Sequence, residues 1–220
     1  FDGGCDENAL EFLSTPFDLE AVDKLEAVGV TRYKIASGDL TFTPLLRKVA
    51  ATGKAVILST GASYLEEVAA AIKTLQAAGC TDLTVLQCTA SYPPSWDDLN
   101  LNAITTLKAA FGLPVGLSDH SPGHVAPIAA VALGATVIEK HVTFDRATPG
   151  PDHPFAMEMD EFASLARDLS ALATALGDGE KRPAASEINR RHNLRRGVYD
   201  HDTGLPTDAT NGVWLRPQYK

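Results

Sequence analysis

The fold class that the sequence predicts is α/β: a parallel sheet with helices outside it, of the (β/α)8 TIM-barrel type. Three observations predict it. Short β-prone runs alternate with amphipathic helical segments at a period of about 25 residues. Each run ends on its carboxyl side in small polar or charged residues, where both barrels and open parallel sheets bind ligands. No GxGxxG or GxxxxGK[ST] turn follows any run, which favours a barrel over a dinucleotide-binding sheet.

In chain order the β-prone runs are Glu11–Thr15, Tyr33–Ala36, Ala55–Thr60, Leu83–Cys88, Pro114–Ser118 and Thr136–His141. The helical segments between them are Leu19–Ala27, Thr43–Ala51, Tyr64–Ala78, Asn102–Phe111 and Gly123–Leu133. A long helix, Glu158–Leu176, follows the last run, with Leu165, Leu169, Leu172 and Leu176 at helical spacing. A closed barrel takes eight strands, so about six of the eight units are expected in this chain. After a turn at Gly177–Glu180, one more helix is expected over Pro183–Asn193. From Arg195 the composition changes to short β-prone pieces and turn residues. The expected organisation is a partial barrel over 1–180, a linker over 181–194 and the beginning of a small β module over 195–220.

The chain has 220 residues, is 45% hydrophobic and carries a net charge of −9. That length suffices for one substantial core. The acidic balance and the lack of a basic stripe argue against nucleic acid. No apolar run is long enough to span a bilayer and no secretory pattern is present. The cysteines, Cys5, Cys80 and Cys88, are odd in number and lack CxxC spacing, so a reducing, cytoplasmic setting is expected.

Two strand ends carry the chemistry. Alternation along Pro114–His120 sets Gly116, Ser118 and His120 on one face, with Val115 and Leu117 on the other. The same logic groups Val137, Glu139 and His141 in the next strand. Parallel neighbours lie about 4.8 Å apart, so His120 and His141 could share one metal ion. Two imidazoles leave coordination positions for water and a substrate oxygen, as a catalytic divalent ion needs. A lone strand-end histidine is more often a hydrogen-bonded structural residue than a ligand; two in register, one unit apart, bring the two readings level. Asp119 is expected to cap the following turn, and His124, His153, His192 and His201 to lie on the surface without such a partner.

In the second run Tyr33 and Ile35 share one face and Lys34 the other. If the larger pair packs on the helices, Lys34 points inward and needs a partner, because a lone buried ammonium is costly. Either Glu139 or an anionic ligand would serve. Thr15, Ser37, Ser59 and Ser118 put hydroxyl donors on the same rim, although such residues are also ordinary turn formers. The three prolines of Thr148–Pro154 would hold Asp152 over the mouth, and Tyr92 in the Ala90–Pro94 loop is either a packing residue or a substrate contact.

The segments FLSTPFD, YKIASGD, VILSTG, LQCTASYP, GLSDHSPG, VIEKHVTFD and PGPDH, in that order, resemble the sialic acid synthase family. Members condense phosphoenolpyruvate with an N-acetylated hexosamine and water to give a nonulosonic acid and phosphate. The resemblance implies a TIM barrel with a C-terminal antifreeze-like (SAF) domain, a domain-swapped homodimer, and a divalent metal, Mn2+ or Mg2+. It makes His120 and His141 the metal ligands, and gives Thr15, Lys34, Ser37, Ser59 and Ser118 to phosphoenolpyruvate. Tyr92, Asp152 and His141 would contact the sugar, and Arg216 would enter the partner subunit's site. Ala90 and Asp39 depart from the asparagine and glutamate that the family often has, which leaves room for a legionaminic- or pseudaminic-type sugar beside N-acetylmannosamine. The first two strands and most of the SAF domain of the family pattern are not in the chain. The 220-residue chain by itself is therefore expected to be poorly soluble or inactive. The alternatives are a non-catalytic fragment of such an enzyme, or a related phosphoenolpyruvate-dependent 3-deoxy-ulosonate synthase.

Overall fold

A computed structural model describes residues 10–188, 196–199, 202, 207 and 212–215. The chain divides into two compact units, Phe1–Leu176 and Gly177–Lys220.

In the first unit five strands, β1 (Arg32–Ile35), β2 (Ala55–Ser59), β3 (Leu83–Cys88), β4 (Val115–Asp119) and β5 (Ile138–Lys140), form one sheet. They are ordered as in the chain, and every pairing is parallel. A doubly wound sheet reverses its strand order part-way; this one does not, which is barrel winding. The crossover helices are α1 (Leu19–Val28), α2 (Thr43–Ala50), α3 (Leu65–Ala77), α4 (Ala103–Phe111) and α5 (Val125–Ala132). Local chemistry sets their ends. Asp18 accepts from the Ala21 N–H at 2.7 Å to start α1, and Gly29, at φ 90°, stops it in the left-handed region.

Tyr33, Ile35, Val56, Leu58, Val85, Val115 and Leu117 are buried in the main apolar cluster with residues of the helices, such as Leu46, Val68, Leu75 and Ile104. That is the outer face, and period-2 alternation turns Lys34, Ser59, Cys88, Ser118 and Glu139 inward. The sheet is strongly curved. In a flat sheet β1 and β5 would lie roughly 19 Å apart, and an extended lysine and glutamate together span only roughly 12 Å. Yet Lys34 Nζ of β1 sits 3.3 Å from Glu139 Oε2 of β5. Gly116 helps the wall close: a Cβ there would lie 2.4 Å from the Val137 carbonyl oxygen and 2.6 Å from Leu86 Cδ2.

Three sequence expectations are corrected. Glu11–Thr15 is not a full strand; it contributes one bridge, Ser14 to Tyr33, with the Lys34 N–H donating to the Ser14 carbonyl at 3.3 Å. Pro16 ends the run, and Leu10 and Leu13 stay exposed. The last run stops at Lys140, and a separate parallel pair follows, β6 (Val142–Thr143) with β7 (Met157–Glu158), leading into α6 (Met159–Leu176). The expected Pro183–Asn193 helix is a single turn, α7 (Ala185–Ile188), in its described part; residues 189–193 lie outside the described residues.

In the second unit, β8 (Gly197–Tyr199) and β9 (Val213–Leu215) pair antiparallel, with Val198 opposite Trp214.

Candidate active site

His120 follows β4 and His141 follows β5, and the curvature of the sheet brings the two rings to 5.2 Å between centroids. His120 is buried. Its Nδ1 lies 3.0 Å from the Thr89 carbonyl oxygen. A carbonyl can only accept, so Nδ1 carries the proton and the Nε2 lone pair is left free. Burial, with the neighbouring His141, holds the His120 imidazolium below its ordinary range, partly offset by the Thr89 carbonyl. A neutral ring with Nδ1–H on a backbone carbonyl is the state of a metal-ligating histidine. Two imidazoles at this separation can reach one ion with metal–nitrogen bonds of about 2.1 Å. Among the described residues no third His, Cys, Asp or Glu completes a ligand group. The donor set therefore suits a divalent ion completed by water and substrate oxygens.

Below the imidazoles lies an anion-type floor. Glu139 ties together Lys34 and Ser118, whose hydroxyl donates to Oε1 at 2.5 Å. Of the two partners open to Lys34, the structure contains the carboxylate; among the described residues it is the one ion-pair partner of an ammonium that carries three hydrogens. The Ser59 hydroxyl is buried without a hydrogen-bond partner among the described residues. A buried hydroxyl of this kind on the inner face suits a hydrogen bond to a ligand oxygen. Ser37 Oγ accepts from the Gly61 N–H at 2.9 Å, so its own proton is free to point elsewhere. Thr15 is half-buried, one residue past the bridge to β1.

The rim is aromatic. Tyr92 leans over His120 at 4.1 Å between centroids. Phe155, which no sequence signal singled out, lies 5.0 Å from His141 and 5.5 Å from Tyr92. Burial pushes the Tyr92 phenol up, so it stays a neutral donor. Asp152 Oδ2 is 3.7 Å from His141 Nδ1, within reach to orient that ring. Arg216 lies outside the described residues.

Outside the sheet, one residue before each imidazole, Asp119 and Lys140 form a buried ion pair at 2.8 Å. Lys140 also donates to the Ser121 carbonyl, and Asp119 Oδ1 accepts from the Ser121 N–H at 2.9 Å. Asp119 thus caps its turn as expected, but its second oxygen fastens β4 to β5. His124 and His153 take partners of a different kind from the imidazole pair: His124 pairs with Asp168 at 2.9 Å and His153 meets the Thr143 hydroxyl at 2.8 Å. Both are local contacts that sequence spacing does not reveal; His192 and His201 lie outside the described residues.

A curved parallel sheet that carries an ammonium and hydroxyls on its inner face, with two imidazoles at its mouth, defines a protein of the barrel type whose inner face suits an anion. More narrowly, the chain belongs to the NeuB family, which matches residues 2–181. An uncharacterised protein of Methanocaldococcus jannaschii is 48% identical over 198 residues, 86% of this chain and 59% of that protein. The N,N'-diacetyllegionaminic acid synthase of Legionella pneumophila is 43% identical over 215 residues, 94% of this chain and 60% of that enzyme. The crystal structure of an N-acetylneuraminic acid synthetase from Leptospira borgpetersenii, in complex with citrate, matches with a TM-score of 0.79 at 39% identity. That match covers 87% of this chain and 68% of that one. The chain thus spans about 60% of the length of the curated relatives it matches.

Proposed function

We propose that the protein condenses phosphoenolpyruvate with an N-acetylated hexosamine and water, giving a nonulosonic acid and phosphate. The observation that carries the reading is the pair of converging imidazoles, His120 and His141 at 5.2 Å, above an inner face bearing Lys34 and a Ser59 hydroxyl that has no partner among the described residues. In the overall reaction the methylene carbon of phosphoenolpyruvate bonds to the aldehyde carbon of the open-chain sugar, whose oxygen takes up a proton; the hydroxide of water adds to the carbon bearing the phosphate ester, and the bond from that carbon to phosphate breaks.

Lys34 and the hydroxyls of Thr15, Ser37, Ser59 and Ser118 would hold the phosphate and carboxylate of phosphoenolpyruvate. A fixed ammonium and oriented donors stabilise charge without reorganising during the reaction. Glu139, 3.3 Å from the Lys34 ammonium, would set its direction. His120 and His141 would hold a divalent ion, Mn2+ or Mg2+, which when bound supplies Lewis-acid polarisation of the aldehyde oxygen. Tyr92 and Phe155, in ring contact at 5.5 Å, would wall one side of the mouth, and Tyr92 and Asp152 would offer a donor and an acceptor to the sugar. Ala90 is a small apolar residue on the rim, which suits a diacetamido-trideoxyhexose as well as N-acetylmannosamine; the legionaminic-type relative at 43% identity supports the former.

The eight-unit barrel, the SAF module over 195–220, the insertion of Arg216 into the partner subunit's site, the domain-swapped homodimer and the cytoplasmic setting belong to the same proposal. No helix among the described residues is long and apolar enough to cross a membrane.

The test is phosphate release by the full protein from phosphoenolpyruvate with each sugar, with and without Mn2+. His141→Ala should abolish metal-dependent release. Retained activity with unchanged metal dependence would remove His141 from the site.

A further inference from the structure

A second cavity, of about 740 Å³, lies between the starts of α3 and α4 and beneath the connection from β3 to α4. Its size is that of a small-molecule site. Among the described residues placed above at phosphoenolpyruvate, sugar or metal, Ala90 on the rim alone lines it; the imidazoles, Lys34, Ser59, Ser118, Tyr92 and Asp152 do not. Its backbone is held against local preference: Ala62 (φ 56°) and Asn100 (φ 42°) both line it. They are the only two non-glycine residues in the left-handed region among those described. Such residues cost of order 1–3 kcal/mol each and gather at ligand sites.

The lining chemistry selects a ligand class. Hydroxyls of Ser63 and Thr106 and amides of Asn100 and Asn102 surround an apolar floor of Val68 and Leu107. The Tyr64 ring stands exposed at one side. Among the described residues no Lys, Arg or His lines it, and the single charge is the carboxylate of Asp98. Anions, including phosphoenolpyruvate and an acidic product, are repelled there.

Thr89 belongs to both places. Its hydroxyl donates to the Asp98 carbonyl at 3.0 Å on the cavity side, and its own carbonyl holds His120 Nδ1 at 3.0 Å. We propose that this cavity binds a neutral, hydroxyl-rich ring, a sugar or polyol, and that occupancy reaches His120 through Thr89.

The probes are methyl glycosides of glucose, mannose, galactose and N-acetylglucosamine. They are locked as rings without a free aldehyde, so they cannot be substrates of the condensation proposed above. Saturation-transfer NMR with the metal-free full protein should detect binding of at least one of them. The same glycoside should move the His120 ring resonance in step with its concentration. Thr106→Trp, on the exposed first turn of α4, should fill the cavity and abolish both signals. Tyr64→Ala should weaken binding several-fold, and His141→Ala should leave it intact. No transfer from any glycoside overturns the inference. So does binding that survives both cavity variants, or that His141→Ala removes. A His120 resonance that stays fixed while a glycoside binds overturns the coupling.

Discussion

Lys140→Met isolates what holds the two imidazoles together. Lys140 and Asp119 have side-chain exposures of 4% and 0%, and each immediately precedes one of the histidines. The substitution keeps the apolar stem and removes the ammonium. It leaves the Asp119 carboxylate buried with one remaining donor, the Ser121 N–H, and strips the Ser121 carbonyl of its Lys140 donor. Breaking a buried pair from one side costs about 3–5 kcal/mol. Because Asp119 keeps that backbone hydrogen bond, the lower end is expected, about 3 kcal/mol. In a protein of this size that is a fall in Tm of roughly 6–12 °C. Asp119→Asn combined with Lys140→Met buries no charge and should lose less than the single variant. Loosening the strand ends should also weaken Mn2+ binding by about 10–100-fold, as loss of a supporting contact around a metal site does. Urea unfolding and calorimetric Mn2+ titration read the two effects. A stability change under about 1 kcal/mol in Lys140→Met, with Mn2+ affinity unchanged, would refute the view that the pair is desolvated and sets the imidazoles.

Three further outcomes follow from the same geometry. Lys34→Ala should raise the KM for phosphoenolpyruvate far more than that for the sugar; equal effects in steady-state kinetics would reassign the ammonium. Gly116→Ala should destabilise by about 1–3 kcal/mol in urea unfolding, because its methyl would meet the Val137 carbonyl and Leu86; a neutral result would mean the wall is looser than its contacts imply. Burial depresses the His120 pKa below its ordinary value of 6.5, so below that pH the unfolded chain binds a proton that the folded chain refuses. The contribution is complete above pH 6.5 and is lost as pH falls toward the folded pKa. His120→Gln should flatten this part of a pH series of unfolding free energies; an unchanged slope would assign it to another group.

The inner face was legible because a strand's period of two is rigid. Once Tyr33 and Ile35 were matched to the helices, Lys34 had to point inward, and the same count turned Ser118, His120, Glu139 and His141 the same way. What alternation cannot supply is which outward polar residues meet. Asp119 read as a turn cap, and one of its oxygens is that; its bond to Lys140 depends on register between strands a crossover apart. Phe155 was illegible for a similar reason, since its contact with His141 comes from the path of a proline-rich loop. Glu11–Thr15 has strand composition, but pairing is a property of neighbours, and its only described ladder contact is at Ser14.

These two kinds of residue explain why the chemistry sits where it does. At each strand end the sequence sets a histidine directly after a charged residue, Asp119-His120 on β4 and Lys140-His141 on β5. Alternation sends the charges outward, where they find each other in a dry layer, and the imidazoles inward, where they converge. A slip of one residue in either strand would exchange the roles, burying an unpaired charge at the mouth and a histidine behind the sheet. The ion pair therefore selects the register that brings the rings together, which a purely apolar layer would leave less specified. Its stability cost or gain matters less here than the alternatives it excludes. On that view an Asp119→Leu/Lys140→Leu variant can fold as stably as the native chain and still bind Mn2+ less tightly, a separation of stability from affinity that the two titrations above would detect.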